Sequence, residues 1–394
     1  MKQQKNYWRD RNLYIIFSIT LMAVMGVSSI TPVLPDIRDA LDLTKQQVGL
    51  MVVFFSLPGI VLTPLLGILA DRYGRKTIMV PSLILFAIAG AACFLVRDFT
   101  LLLILRVLQG AGAASLGSLN TALIGDIYAK EERGKIMGKV AGVLSIGTAS
   151  YPAIGGAMAM LGWYFPFLLP LLALPVGWAV LFKLNNPEPV REQKLGAYLK
   201  NALSGIKDPS VIVLFLSTFV VFIMLYGAYL TYFPLLLNDK FSASSFVIGI
   251  LMTSMSATTA IVASQLGRIN RHFPEHKLIP YSFLLYVTAL LAIPFVEVIW
   301  LMPLPIILFG AGQGLNFPSI QARLTKMAPI QYRGIFMSVN GMILRIGQTL
   351  GPIVIGWFYA WGGNLYAFWG GAIVGLVMFF LALRFVASQS QPEM

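Results

Sequence analysis

The feature that most constrains this chain is repetition. Stretch after stretch of about twenty apolar residues is closed off by charges, Gly or Pro. A helix of that length rises about 1.5 Å per residue and so matches a hydrocarbon core roughly 30 Å thick. Twelve such spans fit the 394 residues, over 13–34, 47–69, 77–96, 100–124, 136–160, 164–184, 211–235, 245–266, 277–296, 299–322, 335–359 and 364–387. The shortest break is Val296-Glu297-Val298, between the ninth and tenth. Only 11% of residues are charged and 57% are hydrophobic, whereas soluble domains carry about 25% charge. The first run is too long for the apolar part of a cleaved signal and reads as the first span. The single cysteine, Cys93, leaves no internal disulfide and no metal or redox motif.

Net charge is +13, which by itself would suggest nucleic acid. The distribution argues otherwise. Twenty-three of the 29 Lys and Arg fall in segments on the side of the two termini, whereas the opposite loops hold Arg38, Lys45, Arg97 and Lys240. The positive-inside rule places both termini in the cytoplasm. No basic, aromatic-interleaved recognition element accompanies the charge, so no nucleic-acid partner is expected. Arg106 and Arg345 are left inside spans.

The chain also repeats itself at a shift of 200. Gly-Ala-Gly at 110–112 recurs at 310–312 and Arg-Gly at 133–134 recurs at 333–334; Gly49, Gly67, Gly147, Pro152 and Gly156 map to Gly249, Gly267, Gly347, Pro352 and Gly356. The expected organisation is a six-helix half over 1–184, a polar linker over 185–210 and a second half over 211–394. Residues 192–206 of the linker suit a short amphipathic surface helix. Parallel repeats of this kind put a substrate cavity between the halves.

Residues 67–76, GILADRYGRK, carry a dense charged cluster between the second and third spans. Gly67, Leu69, Ala70, Asp71, Arg72, Gly74, Arg75 and Lys76 match every fixed position of a signature of the major facilitator superfamily, which the chain resembles over nearly its full length. Orientation alone accounts for the cations but not for Asp71, because acids contribute little to topology. The resemblance implies a gate, with Asp71 facing the start of span eleven near Gly334 and Arg75 pairing with Asp126. A carboxylate at a helix N-terminus contributes about 0.3–1 kcal/mol, up to about 2 when partly buried. The corresponding segment from Gly267 has Arg271 at the place of the acid, so a symmetric second latch is not expected.

Within the spans, Arg106, Gln109, Ala113 and Asn120 share one helical face, as a polar stripe for a cavity would. Arg106 has two readings: a proton-coupling group, as the resemblance implies for its Arg-x-x-Gln-Gly-x-Gly pattern, or a structural cation tied to backbone carbonyls. Ser338, Gly341, Arg345, Gln348 and Pro352 share a face of span eleven, where Arg345 either contacts substrate or pairs structurally. Phe222, Tyr226, Tyr229 and Phe233 form an aromatic stripe in span seven that lines a cavity or faces a neighbour, and Gln313 and Asn316 add polarity in span ten. All sixteen acids lie in loops or near span ends, which leaves Asp36 as the proton candidate beside a plain loop-end reading. Two cations within the spans and no deep acid favour a neutral or anionic amphiphile over a cationic drug. In span five, Gly147, Pro152, Gly155 and Gly156 follow the superfamily's exporter run, with Tyr151 where a glycine is expected; Tyr151 would hold a neighbour off or project into the cavity.

No ATP-binding loop is present, so the expected energy source is an ion gradient. The expectation is a monomeric, proton-coupled efflux transporter of amphipathic or drug-like compounds in the cell membrane, using no cofactor or metal and not an enzyme. The alternatives are an exporter of an anionic or neutral metabolite or lipid-like solute (sugar, organic acid) through Arg345, and a receptor that binds without transport.

Overall fold

The computed structural model describes residues 10–185, 208–328 and 333–387. The surface helix expected over 192–206 lies outside them. The chain begins with α1 (Arg11–Ser28), which passes through a 3-10 turn at Thr31–Val33 into α2 (Leu34–Ala40). Then come α3 (Lys45–Tyr73), α4 (Arg75–Ala92), α5 (Phe99–Ala113), α6 (Leu116–Ile127) and α7 (Lys130–Ala159). A 3-10 segment, Phe165–Leu172, leads into α8 (Ala173–Lys183). Further on, α9 (Pro209–Ile223) widens into a π-helical stretch, Met224–Tyr232, before α10 (Phe233–Phe241). The last long elements are α11 (Ser245–Ile269), α12 (Glu275–Ala292), α13 (Pro303–Met327) and α14 (Arg333–Ala382). Among the described residues there is no strand.

Among the described residues, eleven helical stretches are long and apolar enough to cross a membrane. The last, Phe336–Ala387, has 52 residues, about 78 Å if straight and far more than one bilayer. It is not straight: Gly362 (φ −163°) and Gly363 (φ 69°, ψ −151°) leave helical geometry. Gly363's positive φ is one that L side chains rarely adopt.

Local chemistry sets the helix starts. Asp98, Asp208 and Ser244 accept hydrogen bonds from the first turns of α5, α9 and α11, and Thr44 with Gln47 forms a capping box on α3. Gly74, at φ 98°, makes the abrupt turn from α3 to α4. Large apolar side chains such as Val61, Ile146, Ile261 and Leu304 are at least 60% exposed, a surface suited to lipid rather than water. The protein is a multi-pass membrane protein.

Both ends of the described chain lie at one end of the bundle, called here the terminus end. Tyr128 donates to Asp10, Asn12 bonds Asn185, and Ser210 donates to the Phe385 carbonyl. The repeat is visible in the packing. The Cα of Gly110 comes so close to α3 that a Cβ there would lie 2.0 Å from the Phe55 oxygen; at Gly310 it would lie 2.6 Å from that of Met255, the residue 200 further on. Gly112 and Gly312 likewise meet the carbonyls of Ser82 and Ser282. Across the bundle the partners exchange: Gly49 faces Pro352, and Gly249 faces Pro152. A two-fold relation between the repeated segments produces that exchange.

These crossed contacts belong to a seam at the far end, opposite the termini. There α7 packs along α11, and α3 packs along the first part of α14. Toward the terminus end the same four helices diverge. Gly138 and Gly142 of α7, Gly267 of α11, Gly67 of α3 and Gly341 of α14 all face open space. The bundle is closed at the far end and open at the terminus end.

Candidate functional site

The far end is closed by charge as well as by packing. Arg38 of α2 donates to Asp239 of α10 at 2.8 Å and to Asn238 at 3.0 Å. Lys45, at the start of α3, pairs with the same Asp239, donates to Asn364 at 3.3 Å and lies over the Tyr359 ring. Beside this clasp, Ser245 donates to Asp36 at 2.7 Å and to the Pro32 carbonyl at 2.9 Å. Asp36, Arg38 and Lys45 are partly buried, and Asp239 lies on an exposed turn with its side chain 26% exposed. Asp36 is thus neither a solvated loop-end acid nor linked to Arg106: it sits in the first turn of α2, against the opposing helix.

The adjacent glycines of the span-five run pack α7 on two sides. A Cβ at Gly156 would lie 2.2 Å from the Ser245 oxygen across the seam, and one at Gly155 would lie 1.9 Å from the Ser29 oxygen, at the end of α1 in the same half. Pro152 faces Gly249, while Gly147 lies against Leu21 and Val24 of α1. Tyr151 does not project into a cavity. It is 6% exposed, and its ring edge flanks Gly147 on the same helix.

Arg106 is 0% exposed. Its guanidinium donates to the Met51 carbonyl at 3.1 Å, the Gly26 carbonyl at 2.9 Å and Gln109 Oε1 at 2.7 Å, over the Phe55 ring at 4.3 Å. The reason lies in α1. That helix ends at Ser28 and the Ile30 amide turns back to Val27, so the Gly26 carbonyl takes its donor from Arg106. The expected cavity stripe is therefore corrected: Arg106 and Gln109 knit α1, α3 and α5 together. Asn120 donates to Thr20 and to the Ile16 carbonyl, which ties α6 to α1.

The second set of helices uses its polar groups similarly. Asn316 donates to Ser282 and the Ile279 carbonyl, and Gln313 accepts from Tyr286, so both bind α13 to α12 rather than lining a cavity. The aromatic stripe of span seven divides, because an i→i+5 helix turns its side chains through a different angle from an α-helix. Tyr229 stacks between Phe233 and Phe309 and donates to the Met252 carbonyl. Phe222 turns to Phe317 and Tyr226.

Arg345 is different. It is partly exposed and lies against Gly59 of α3, where a Cβ would come within 3.2 Å of its Cδ. It donates to Gln348 at 3.3 Å and interacts electrostatically with Tyr226. Of the residues expected at a cavity wall, Arg345 and Tyr226 remain accessible, with Gln348 behind them.

At the open end, Asp71 is 64% exposed and pairs with Arg75, whose Nε also donates to Asp126 at 3.0 Å. Gly67 faces open space, Arg72 lies over the Tyr73 ring, and Lys76 reaches the Leu181 carbonyl. Asp71 is therefore paired within its own turn in this open-ended conformation.

A helical bundle with an internal repeat, a gated seam at one end and a charged cluster at the other is the architecture of an alternating-access carrier. The sequence pattern of the Major Facilitator Superfamily matches residues 16–242 and again 214–393. The chain belongs to the Major Facilitator Superfamily. Multidrug resistance protein 1 of Bacillus subtilis (strain 168) is 28% identical over 354 residues, covering 89% of this chain and 90% of that protein. Quinolone resistance protein NorA of Staphylococcus aureus (strain MSSA476) is 25% identical over 354 residues, covering 88% and 89%. Among solved structures, a bacterial homologue of the human lysosomal transporter Spinster, in an inward-facing and unoccupied conformation, superposes with a TM-score of 0.80 at 17% identity, over 98% of this chain and 100% of that one.

As a Major Facilitator Superfamily member the protein is a transporter of small molecules. The residues that sequence reasoning missed are those of the far-end clasp. Arg38 and Lys45 stood out only as cations on the side where cations are scarce. Their shared acid, Asp239, is 201 and 194 residues away, beyond the reach of any spacing rule.

Proposed function

We propose that this transporter exports small amphipathic, drug-like compounds across the plasma membrane in exchange for protons. The observation that carries the reading is the asymmetry of the bundle, sealed at the far end by the Asp239 clasp and open at the terminus end. In this reading the termini are cytoplasmic and the chain crosses twelve times, with the kink at Gly362–Gly363 separating the last two spans. Residues 1–184 and 211–394 rock as two halves about the linker 185–210, and a monomer suffices. The names of the relatives and the glycine run of α7 support export over the metabolite and receptor readings.

Asp71, Arg75 and Asp126 act at the cytoplasmic gate. Asp71 moves from its local pair to the N-terminus of α14 when that end closes. Asp36 is the acid placed to exchange a proton, because opening the seam releases it from Ser245. One proton moving down 100 mV supplies about 2.3 kcal/mol, enough for roughly 50-fold accumulation.

Everted membrane vesicles test the reading. A panel of amphipathic dyes and antibiotics should accumulate inside at least fivefold when a proton gradient is imposed, and a protonophore should abolish the uptake. Equal accumulation with and without the gradient would refute proton coupling.

The two gates make a paired prediction. Asp239→Asn removes a carboxylate shared by two cations, worth about 1–2 kcal/mol at a partly buried site, and so shifts the balance five- to thirty-fold toward the far-end-open state. Asp71→Asn shifts it the other way. The only cysteine, Cys93, is buried and free. With Cys93 replaced, a reporter cysteine at exposed Gly142 should be labelled more slowly in Asp239→Asn and faster in Asp71→Asn. Shifts in the same direction would contradict the two-gate scheme.

A further inference from the structure

The cations of this protein divide by what satisfies them. At the far end, Arg38 and Lys45 share Asp239. Inside the first set of helices, Arg106 is sealed from solvent and donates through Nε and one terminal nitrogen to two carbonyls and Gln109, its other terminal nitrogen being buried without an acceptor. At the open end, Arg75 bridges Asp71 and Asp126. Arg345 has Gln348 alone as a hydrogen-bond acceptor for its side chain, and among the described residues no carboxylate lies within ion-pair distance. The sequence holds no acid between Glu297 and Glu393, so α14 supplies none. A guanidinium in the middle of a membrane helix is costly, and such groups face a cavity, a partner or a transport path.

Its position is specific. The helices α3 and α14 run antiparallel, with Gln46 near Gly356, Gly49 near Pro352 and Gly59 near Arg345. The first two pairs belong to the sealed seam. Beyond the third, Gly67 and Gly341 face open space. Arg345 therefore sits at the apex of the opening, where the seam ends and the access path from the terminus end begins. Gly59 provides the room: a side chain there would meet Cδ, Nε and Cζ of Arg345 at 3.2–3.6 Å. Tyr226, carried on the π-helical stretch and partly exposed like Arg345, holds its hydroxyl within electrostatic reach of the cation.

Resting on the transport reading above, we propose that Arg345, with Tyr226 and Gln348, forms the polar anchor of the substrate site. The preferred cargo is then an aromatic amphiphile bearing a carboxylate or comparable anionic acceptor. The planar guanidinium donates to a carboxylate through two parallel N–H groups, and the partly exposed Tyr226, beside Phe222, supplies aromatic surface for the adjacent body. Apolar cations without an acceptor meet an unmatched like charge at this point and are poorer substrates. With Arg106 held by carbonyls, this preference depends on one residue.

The test uses dansyl-phenylalanine and its methyl ester, which differ in one negative charge, titrated by fluorescence against the full-length protein in detergent. The wild type should bind the acid at least tenfold more tightly than the ester. Arg345→Gln should weaken the acid about tenfold and leave the ester within twofold, and Arg345→Lys should keep an intermediate preference. Thermal unfolding of each variant shows whether it is folded. If the wild type binds acid and ester alike, binds neither, or loses both equally in folded Arg345→Gln, the anchor is refuted. Vesicle uptake of the dye panel is measured in parallel. Flux without an acid preference overturns the anchor and leaves transport standing; an acid preference without flux does the reverse.

Discussion

Replacing Gly156 by valine should hold α7 away from α11 at the far end and reduce transport at least tenfold. The contact leaves no alternative to movement. A Cβ at Gly156 would lie 2.2 Å from the Ser245 oxygen and 3.0 Å from the Phe246 Cα, both backbone atoms that no side-chain rotation relieves. Small residues at such interfaces let helix backbones approach closely, and the approach is lost when one gains a branched side chain. The helices must separate by about 1 Å or more to restore ordinary contact, and that separation also stretches the adjacent Ser245–Asp36 bond. The state closed at the far end is destabilised while the state open there is not, so a transporter that must visit both stalls in one. Gly155→Val drives a Cβ into the Ser29 carbonyl of the same half and should instead lower stability by prising α7 from the end of α1, whereas valine at Gly142, which faces open space, should be tolerated. The readout is vesicle uptake together with labelling of a cysteine placed at the far-end seam, which should rise as uptake falls. Normal uptake in Gly156→Val would show that the seam does not close tightly during the cycle.

The second large effect is on stability. Arg106→Ala should destabilise the protein by about 2–4 kcal/mol, through a cavity the size of a long side chain and the loss of its hydrogen bonds, which are worth roughly 0.6–1.7 kcal/mol each in membrane proteins. The loss is concentrated where α1 ends, because the Gly26 carbonyl then has no donor and the adjoining turn at Ser29–Ile30 carries the contact with Gly155. Arg106→Met fills most of the volume and should recover at least half of the loss, since replacing a buried charge by an apolar side chain of similar size is often well tolerated. Thermal unfolding in detergent measures both. An unchanged midpoint in Arg106→Ala would mean that the arginine is not the tie between α1, α3 and α5 that its geometry indicates.

Much of this molecule was legible before any coordinates. Apolar runs of membrane length gave spans whose ends fall within a few residues of the helices, because a bilayer leaves the backbone little choice but helix. Glycines at a 200-residue shift gave the repeat because close helix contacts need small residues at fixed heights, and the carbonyls of Phe55 and Met255 are those contacts. What misled was polarity. Asn120, Gln109, Gln313 and Asn316 looked like a cavity lining, yet Asn120, Gln313 and Asn316 each have a partner on another helix, and Gln109 accepts from the buried Arg106 on its own helix. In a membrane protein a polar stripe marks a helix–helix contact as readily as a water-filled path, and periodicity does not distinguish them. The stripe of span seven failed differently: nothing in the run from Phe222 to Phe233 announces that Met224–Tyr232 is π-helical, and one wider turn is enough to send Tyr229 and Tyr226 to different neighbours.

By itself the sequence determined the class of fold, the repeat, the family resemblance and the charged cluster at 67–76. All of these depend on local spacing or on composition, and the bilayer enforces them segment by segment. Only the tertiary structure decided which end of the bundle is shut, that Arg38 and Lys45 share Asp239, that Arg106 caps a broken helix, and that Arg345 stands at the apex of the opening. Those outcomes depend on which faces of distant helices meet, and on a seam tight enough to bring backbone atoms into contact across nearly 100 to 300 residues of chain.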